Sequence, residues 1–336
     1  MKYKNAKKYL NQERLDPLQK QAGGRLLHDP TVGKKRPPDH YLGIDVGGTF
    51  IKFATTNPDG SIITNDKIST PKTESDLLKA LCRIIDQARE NDPYIRGVGI
   101  GLPGCLENQN YITTPNLPFK HLPLHDILSE HTDLPILLEN DANCAALGEC
   151  TAANANDDLL YITLGTGIGG GVIIGGQLYH GHRGHGGEIG HMMIEQDGLP
   201  CNCGQRGCFE QYASTSALVR QTQQAVAEHP DSLLAALARS EGINGKLPFL
   251  AKEQGCPVAT QLLERFCRYL AMGIDNLVRI FDPRYVILAG AITAQGERLL
   301  EPVSRYRTTD VPVQLAVHFE HAGVIGAARL FKETLL

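Results

Sequence analysis

Asp45-Val46-Gly47-Gly48-Thr49 sets a carboxylate, a glycine pair and a hydroxyl between the β-rich runs Tyr41-Leu42-Gly43-Ile44 and Phe50-Ile51-Lys52. A glycine turn joining two strands offers bare backbone amides that can approach a phosphate, and here a carboxylate and a hydroxyl stand beside it. The combination points to phosphoryl transfer, although Gly-Gly between apolar runs also makes an ordinary hairpin. A second stretch repeats the pattern. The apolar run Leu159 to Leu164 is followed by Gly165-Thr166-Gly167-Ile168-Gly169-Gly170-Gly171, after which Val172-Ile173-Ile174 resumes the β pattern. Gly165, Gly167 and Gly170 match the dinucleotide pattern G-x-G-x-x-G, but that motif must open a helix, and β-branched residues follow instead. No G-x-x-x-x-G-K-[ST] loop occurs, so paired hairpins rather than a P-loop are expected to hold the phosphate.

The Cys201-x-Cys203-Gly204-x-x-Gly207-Cys208 run puts three thiols within eight residues, with His191 ten residues upstream. Three sulfurs and an imidazole make a closed tetrahedral zinc site, structural because no position is left for water; free or redox-active thiols are the alternative. Glu188 lies just before His191 and Glu210 just after Cys208. Folding of the metal loop is expected to bring both carboxylates to one wall of a cleft, where they can accept sugar hydroxyls. Outside such a loop, glutamates at turns are ordinarily only solvated.

In Leu137-Leu138-Glu139-Asn140-Asp141-Ala142-Asn143-Cys144, a strand from Pro135 to Leu138 meets an Ala/Leu-rich helix from Ala142 onward. Asn140 and Asp141 at the junction have two readings. A helix cap there is worth about 1 kcal/mol. A general base contributes about 10² to 10⁴ in rate, roughly 3 to 5 kcal/mol at the transition state. Asparagine can cap a helix and cannot take a proton, so Asp141→Asn separates the readings.

The elements that must position these groups need a sizeable chain. With 336 residues, 42% hydrophobic and 21% charged, the sequence can bury a large core and suggests two domains. No apolar run reaches about 18 residues, and Met1-Lys2-Tyr3-Lys4 lacks the apolar block of a secretory signal, so a cytoplasmic location is expected. Nine cysteines, an odd count in a large chain, suit a reducing compartment better than a disulfide framework. Cys82, Cys144, Cys150 and Cys267 read as small core residues in apolar, helical runs, while Cys105 and Cys256 sit near turns. Residues 1–40 carry a net +6 and the remainder −10. This basic arm reads either as a helical cap over Lys4 to Gln21 with a Pro/Gly-containing linker through Pro38, or as a solvated tail; it is short for a DNA-reading domain. Helices are expected over Ala217 to Glu228, Asp231 to Arg239 and Ala259 to Ile280, a helical part that can serve a dimer interface.

Gly43 to Thr49, Glu139 to Asn143, Leu164 to Gly171, Gly187 to His191 and the Cys201 to Cys208 cluster together resemble the ROK family of sugar kinases and repressors. Asp282-Pro283-Arg284-Tyr285-Val286-Ile287-Leu288-Ala289-Gly290-Ala291 and the closing Gly323-Val324-Ile325-Gly326 extend the resemblance from about Tyr41 to the end. It implies an α/β, actin-like ATPase fold, two ribonuclease-H-like α/β domains around a cleft. The implied division is a basic extension 1–39, an N-terminal domain 40–137 completed by a C-terminal helix 325–336, and a larger domain 138–324. It implies an ATP-dependent hexose kinase with Asp141 as base. Gly104, Asn116, Asn140, Glu188, His191 and Glu210 would hold the sugar. Asp45, Gly47, Gly48, Thr49, Lys52, Gly165, Thr166, Gly167 and Gly290 would hold ATP and Mg²⁺. His191, with one ring nitrogen on zinc beside Cys201, Cys203 and Cys208, would turn its other nitrogen toward the sugar. Glucose is the first expected substrate, with N-acetylglucosamine, N-acetylmannosamine, fructose and allose as competitors and polyphosphate as an alternative donor. A homodimer is expected, without membrane or nucleic-acid partners. A sugar-sensing transcription regulator is the reading from another class.

Overall fold

The computed structural model describes residues 39–107, 110–113, 117, 121–150 and 157–334. Residues 1–38 of the basic arm and Asn116 lie outside the described residues. The chain runs β1 (His40–Val46), β2 (Phe50–Thr56), β3 (Ile62–Ser69), α1 (Glu74–Asn91), β4 (Ile95–Leu102), β5 (Cys105–Glu107), β6 (Tyr111–Thr113), β7 (His121–Pro123), α2 (Leu124–His131), β8 (Ile136–Asn140) and α3 (Asp141–Glu149). It continues through β9 (Leu159–Leu164), β10 (Ile168–Ile174), β11 (Gln177–Leu178), α4 (Glu210–Ala213), α5 (Thr215–Glu228), α6 (Leu233–Glu241), α7 (Leu247–Glu253) and α8 (Pro257–Phe281). It closes with β12 (Tyr285–Ala289), α9 (Glu297–Tyr306), β13 (Val313–Leu315) and α10 (Ala322–Thr334). Among the described residues no helix is long and apolar enough to cross a membrane.

Two compact units divide at Gly148/Glu149 and again at Glu320/His321. The junction carrying Asn140 and Asp141 therefore belongs to the first unit. That unit holds a five-stranded sheet in the order β3-β2-β1-β4-β8, with β1, β2 and β3 antiparallel and β1, β4 and β8 parallel. The second unit repeats the arrangement as β11-β10-β9-β12-β13. This shared order is the ribonuclease-H-like one, and its occurrence twice in one chain is the expected actin-like ATPase fold. A small antiparallel sheet, β5-β6-β7, was not legible in the sequence.

In the first unit, α1 starts at Thr73, whose hydroxyl accepts the Asp76 amide, and buries Leu77, Ala80, Leu81, Ile84 and Ile85, the spacing of one helix face. Helix α10 lies much closer to the sheet than side chains would permit. A Cβ at Gly43 would stand 1.9 Å from the Val324 carbonyl oxygen, and one at Gly99 would stand 1.8 Å from that of Ala327. Gly43 and Gly99 are register partners on β1 and β4, so the helix backbone rests directly on the sheet centre. Gly326 makes the same approach to α3, where a Cβ would stand 1.6 Å from the Cys144 oxygen. Cys144 and Cys150 are buried and Cys82 half-buried, in keeping with core roles.

In the second unit, the helices inserted between β11 and β12 surround α8, whose apolar face joins the sheet in one core. Pro257 opens α8, and Asp282 ends it in the left-handed conformation. Gly273, midway along α8, leaves room for the fully buried Phe209 ring: a Cβ would lie 2.2 Å from its Cζ. That ring seats the start of α4 and thereby Glu210. The expected helices appear as α5, α6 and α8, while α7 was missed because its short apolar run straddles Pro248.

Gly99→Ala forces a methyl into the Ala327 carbonyl, so it is expected to destabilise the chain by about 3 kcal/mol, the upper end of overpacking costs. Urea unfolding measures this; a midpoint equal to wild type would show that α10 is not seated on the sheet.

Candidate active site

The turn between β1 and β2 is braced from one side. Gly47 N–H donates to the Phe50 carbonyl at 2.9 Å, Thr70 N–H to the Thr49 carbonyl at 2.9 Å, and Thr70 Oγ1 to the Gly47 carbonyl at 2.6 Å. Lys72 Nζ donates to the Gly48 carbonyl at 3.3 Å. The amides of Gly48 and Thr49 have no hydrogen-bond partner among the described residues. A Cβ at Gly48 would meet nothing within 4 Å, and its φ is not in the left-handed region. Neither packing nor conformation demands glycine there, whereas close approach of an anion to the amides would.

Asp45, next to last in β1, lies opposite Lys52 on β2 and Gly101 on β4. Burial pushes its carboxyl up to about 6; the charge of Asp141 adds to the rise and Lys52 opposes it. A Cβ at Gly323 of α10 would stand 2.8 Å from this carboxylate, so the glycine keeps space beside it. A carboxyl so placed suits a divalent cation, which would relieve both the burial and the repulsion.

At the β8–α3 junction both Asn140 and Asp141 accept an amide at the start of α3. Asn140 Oδ1 accepts the amides of Ala142 at 2.8 Å and Asn143 at 3.2 Å, which is the capping role. Asn140 Nδ2 donates to the carbonyl of Gly104 at 3.1 Å, fixing that residue at φ +121°. The buried Glu139 accepts from the Asn140 amide at 2.8 Å and from Asn143 Nδ2 at 2.9 Å, locking the junction. Asp141, the first helical residue, has its Oδ1 2.9 Å from the Ala142 amide and lies close enough to Asp45 to raise it.

In the second unit β9 and β10 pair antiparallel from Leu164↔Ile168, so the turn contracts to Gly165-Thr166-Gly167. Gly169, Gly170 and Gly171, read above as loop, are strand residues opposite Thr163, Ile162 and Tyr161. Gly170 is glycine because the Ile189 side chain lies where its Cβ would be, at 2.4 Å. Gly165 N–H donates to the Gly167 carbonyl at 3.0 Å, and Thr215 holds the turn through Gly165 O at 3.0 Å and Leu164 O at 2.9 Å. A Cβ at Gly165 would meet nothing within 4 Å, as at Gly48, and Thr166 is exposed. Gly290 follows β12 at φ +103°, where a Cβ would stand 2.3 Å from the Leu164 oxygen, so it supports the base of this hairpin.

The thiols and imidazole converge. His191 Nδ1 is 3.6 Å from Cys201 Sγ, Cys203 Sγ is 3.6 Å from Cys208 Sγ, and all four ligand atoms lie within 4.8 Å of one another. Sulfurs about 2.3 Å from a tetrahedral zinc stand about 3.8 Å apart, so the spacing and the donor set fit that ion. Without a cation, burial pushes the Cys208 thiol up to about 12. Glu188 and Glu210 flank the imidazole, Glu188 Oε2 at 4.0 Å from Nε2 and Glu210 Oε1 at 3.9 Å from Nδ1. The Cys201 thiol donates to Glu210 Oε1 at 3.0 Å, while a Cβ on Gly167 would stand 2.3 Å from Glu210 Oε2. Glu210 thus links the Cys/His cluster to the glycine turn. Thr70, Lys72, Glu139, Thr215 and Gly323 were missed in the sequence; of these, Glu139 and Gly323 lay within motifs singled out there.

The raised carboxyl of Asp45 favours the folded state below its unfolded value of 3.8, and this contribution is lost as pH climbs through about 6. Asp45→Asn is therefore expected to raise the unfolding free energy at pH 7.5 by on the order of 2 kcal/mol, with no gain at pH 4. Denaturant unfolding at the two pH values tests this, and an equal change at both would discard it.

A sequence model of the ROK family matches residues 41–334. The glucokinase of Streptomyces coelicolor is 35% identical over 309 residues, covering 87% of this chain and 97% of that protein. The crystal structure of a ROK family glucokinase from Streptomyces griseus in complex with glucose and AMPPNP matches with a TM-score of 0.72 and 36% identity, covering 87% of this chain and 98% of that one. The xylose repressor of Bacillus subtilis is 31% identical over 309 residues, covering 89% of this chain and 76% of the repressor. With a match spanning both units and the hairpins and Cys/His cluster in place, the chain belongs to the ROK family.

Proposed function

We propose that this protein is an ATP-dependent hexose kinase that transfers the γ-phosphate to glucose, giving glucose 6-phosphate. The observation that carries the reading is the β8–α3 junction, where Asn140 caps the helix and the carboxylate of Asp141 stands near enough to that of Asp45 to raise it. Asp141 takes the proton of the attacking sugar hydroxyl. Asn140, Gly104, Asn116, Glu188, His191 and Glu210 hold the sugar through its hydroxyls. The amides at Gly47 to Thr49 and Gly165 to Gly167 neutralise phosphate charge, with Lys52, Thr166 and Gly290 on the nucleotide side. Asp45 is the residue that would hold Mg²⁺, which supplies further neutralisation of the phosphates when bound. His191, Cys201, Cys203 and Cys208 would hold structural zinc, which keeps His191 oriented with Nε2 turned away from the sulfurs.

The glucokinase of Streptomyces coelicolor, 35% identical, supports a kinase; the xylose repressor of Bacillus subtilis, 31% identical, stands for the regulator reading. N-acetylglucosamine, N-acetylmannosamine, fructose and allose are the competing acceptors, since discrimination between sugars rests on pocket contacts worth only a few kcal/mol. We place the enzyme in the cytoplasm as a homodimer. A coupled ADP-release assay across these sugars, with polyphosphate as a second donor, tests the reading; absence of turnover with every sugar would overturn it.

Asp141→Asn is expected to lower kcat about 10² to 10⁴-fold while leaving the melting temperature in place, and near-normal turnover would remove Asp141 from the mechanism. Stripping the metal with a chelator is expected both to lower the melting temperature and to raise the KM for sugar, because His191 would serve metal and sugar together. An unchanged KM in the metal-free enzyme would break that coupling.

A further inference from the structure

The two glycines of the second hairpin turn are not glycine for the same reason. A Cβ at Gly165 would meet nothing within 4 Å. A Cβ at Gly167 would stand 2.3 Å from Glu210 Oε2 and 3.5 Å from Glu210 Cδ, and apart from its chain neighbours no other heavy atom of the described residues would come within 4 Å. The φ of Gly167 is not in the left-handed region, so the backbone conformation does not require glycine. What a side chain at 167 would displace is one carboxylate.

The main chain is held on both sides of this contact. Thr215 holds the turn through its amide on Gly165 O at 3.0 Å and its hydroxyl on Leu164 O at 2.9 Å, and Gly165 N–H donates to Gly167 O at 3.0 Å. Glu210 opens α4 directly after Phe209, whose fully buried ring sits in the notch left by Gly273. The Phe209 amide donates to Met192 O at 2.8 Å, and the Ser214 amide to Glu210 O at 3.3 Å. A methyl at 167 must therefore be accommodated by the Glu210 side chain, whose oxygen would have to retreat from 2.3 Å to at least 3.0 Å.

That carboxylate is not a loose surface group. Its side chain is 16% exposed, and Oε1 accepts from Gln211 Nε2 at 3.3 Å and lies 3.9 Å from His191 Nδ1. Oε2 is the oxygen on the Gly167 side. A carboxylate in the space beside Gly167 also keeps a phosphate out of it, so of the two glycines only Gly165 has its Cβ side open to an anion.

We infer that Gly167 is a positioning residue for the acceptor sugar: by lacking a side chain it seats the Glu210 carboxylate where Glu210 receives a sugar hydroxyl. The identity of that ligand rests on the kinase reading; the contact between Gly167 and Glu210 does not. A glycine in the phosphate turn thus serves the sugar as well.

Isothermal titration calorimetry on the full chain without nucleotide tests the inference, because a glycine serving phosphate alone has no effect there. Glucose and the competing acceptors are titrated into the wild type, and the tightest-binding sugar into the variants. Gly167→Ala is expected to weaken sugar binding about tenfold, the loss of one hydrogen bond to a charged group, with the melting temperature and metal content of the wild type. Gly165→Ala is expected to leave this nucleotide-free affinity unchanged. Glu210→Ala is expected to weaken it at least as much as Gly167→Ala does, and adding Gly167→Ala to Glu210→Ala is expected to cost nothing further, since the group to be displaced is gone. Unchanged affinity in Gly167→Ala, an equal loss in Gly165→Ala, additive losses in the double variant or a lowered melting temperature in Gly167→Ala would overturn the role of Gly167 and leave the kinase reading standing. A wild type that binds none of the sugars would instead overturn the kinase reading, and this role with it.

Discussion

The first unit depends on one contact: the bare backbone of α10 lying on the bare backbone of β1 and β4. Gly43 and Gly99 remove the side chains that would hold the helix off the sheet, and Gly326 and Gly148 do the same between α10 and α3. Placed so, α10 brings Gly323 against the Asp45 carboxylate and sets the depth of α3, whose first residue is Asp141. The two acidic groups of this unit thus take their spacing from a helix that carries neither. Close backbone packing also tolerates little adjustment, because a carbonyl cannot turn aside as a side chain can.

The second unit reaches a similar glycine turn by other means. Its strand order repeats that of the first, yet the turn is held by Thr215, with Glu210 lying against Gly167, rather than by Thr70 and Lys72. Glu210 is in turn tied to the Cys/His cluster through Cys201. Duplicated topology therefore gives duplicated hairpins, while the stabilising contacts were built separately on each copy. The metal loop fits this picture as a device for gathering Glu188, His191 and Glu210, residues spread over more than twenty positions, around one imidazole.

Much of the candidate site's local structure was legible in the sequence because its signals are local. Glycines between β-branched runs, and cysteines spaced for a turn, carry their meaning within about eight residues. The strand–helix junction was legible as a place but not as a set of roles. Either Asn140 or Asp141 satisfies the capping rule, and only the geometry gives the cap to Asn140. Gly169 to Gly171 misled, because a glycine kept for a neighbour's side chain looks in sequence like a glycine kept for a turn. Thr70, Thr215 and Gly323 act on residues at least 21 positions away, and no local pattern announces such contacts.

Gly273 has its own long reach. It lies in the middle of the 25-residue helix α8, where glycine weakens the backbone, and it is there to receive the ring of Phe209. Any descendant of this chain that grows a side chain at 273 must give up bulk at 209 in compensation. The two positions are thus bound to drift as a pair, and a relative carrying alanine at the first would be expected to carry an aliphatic residue at the second.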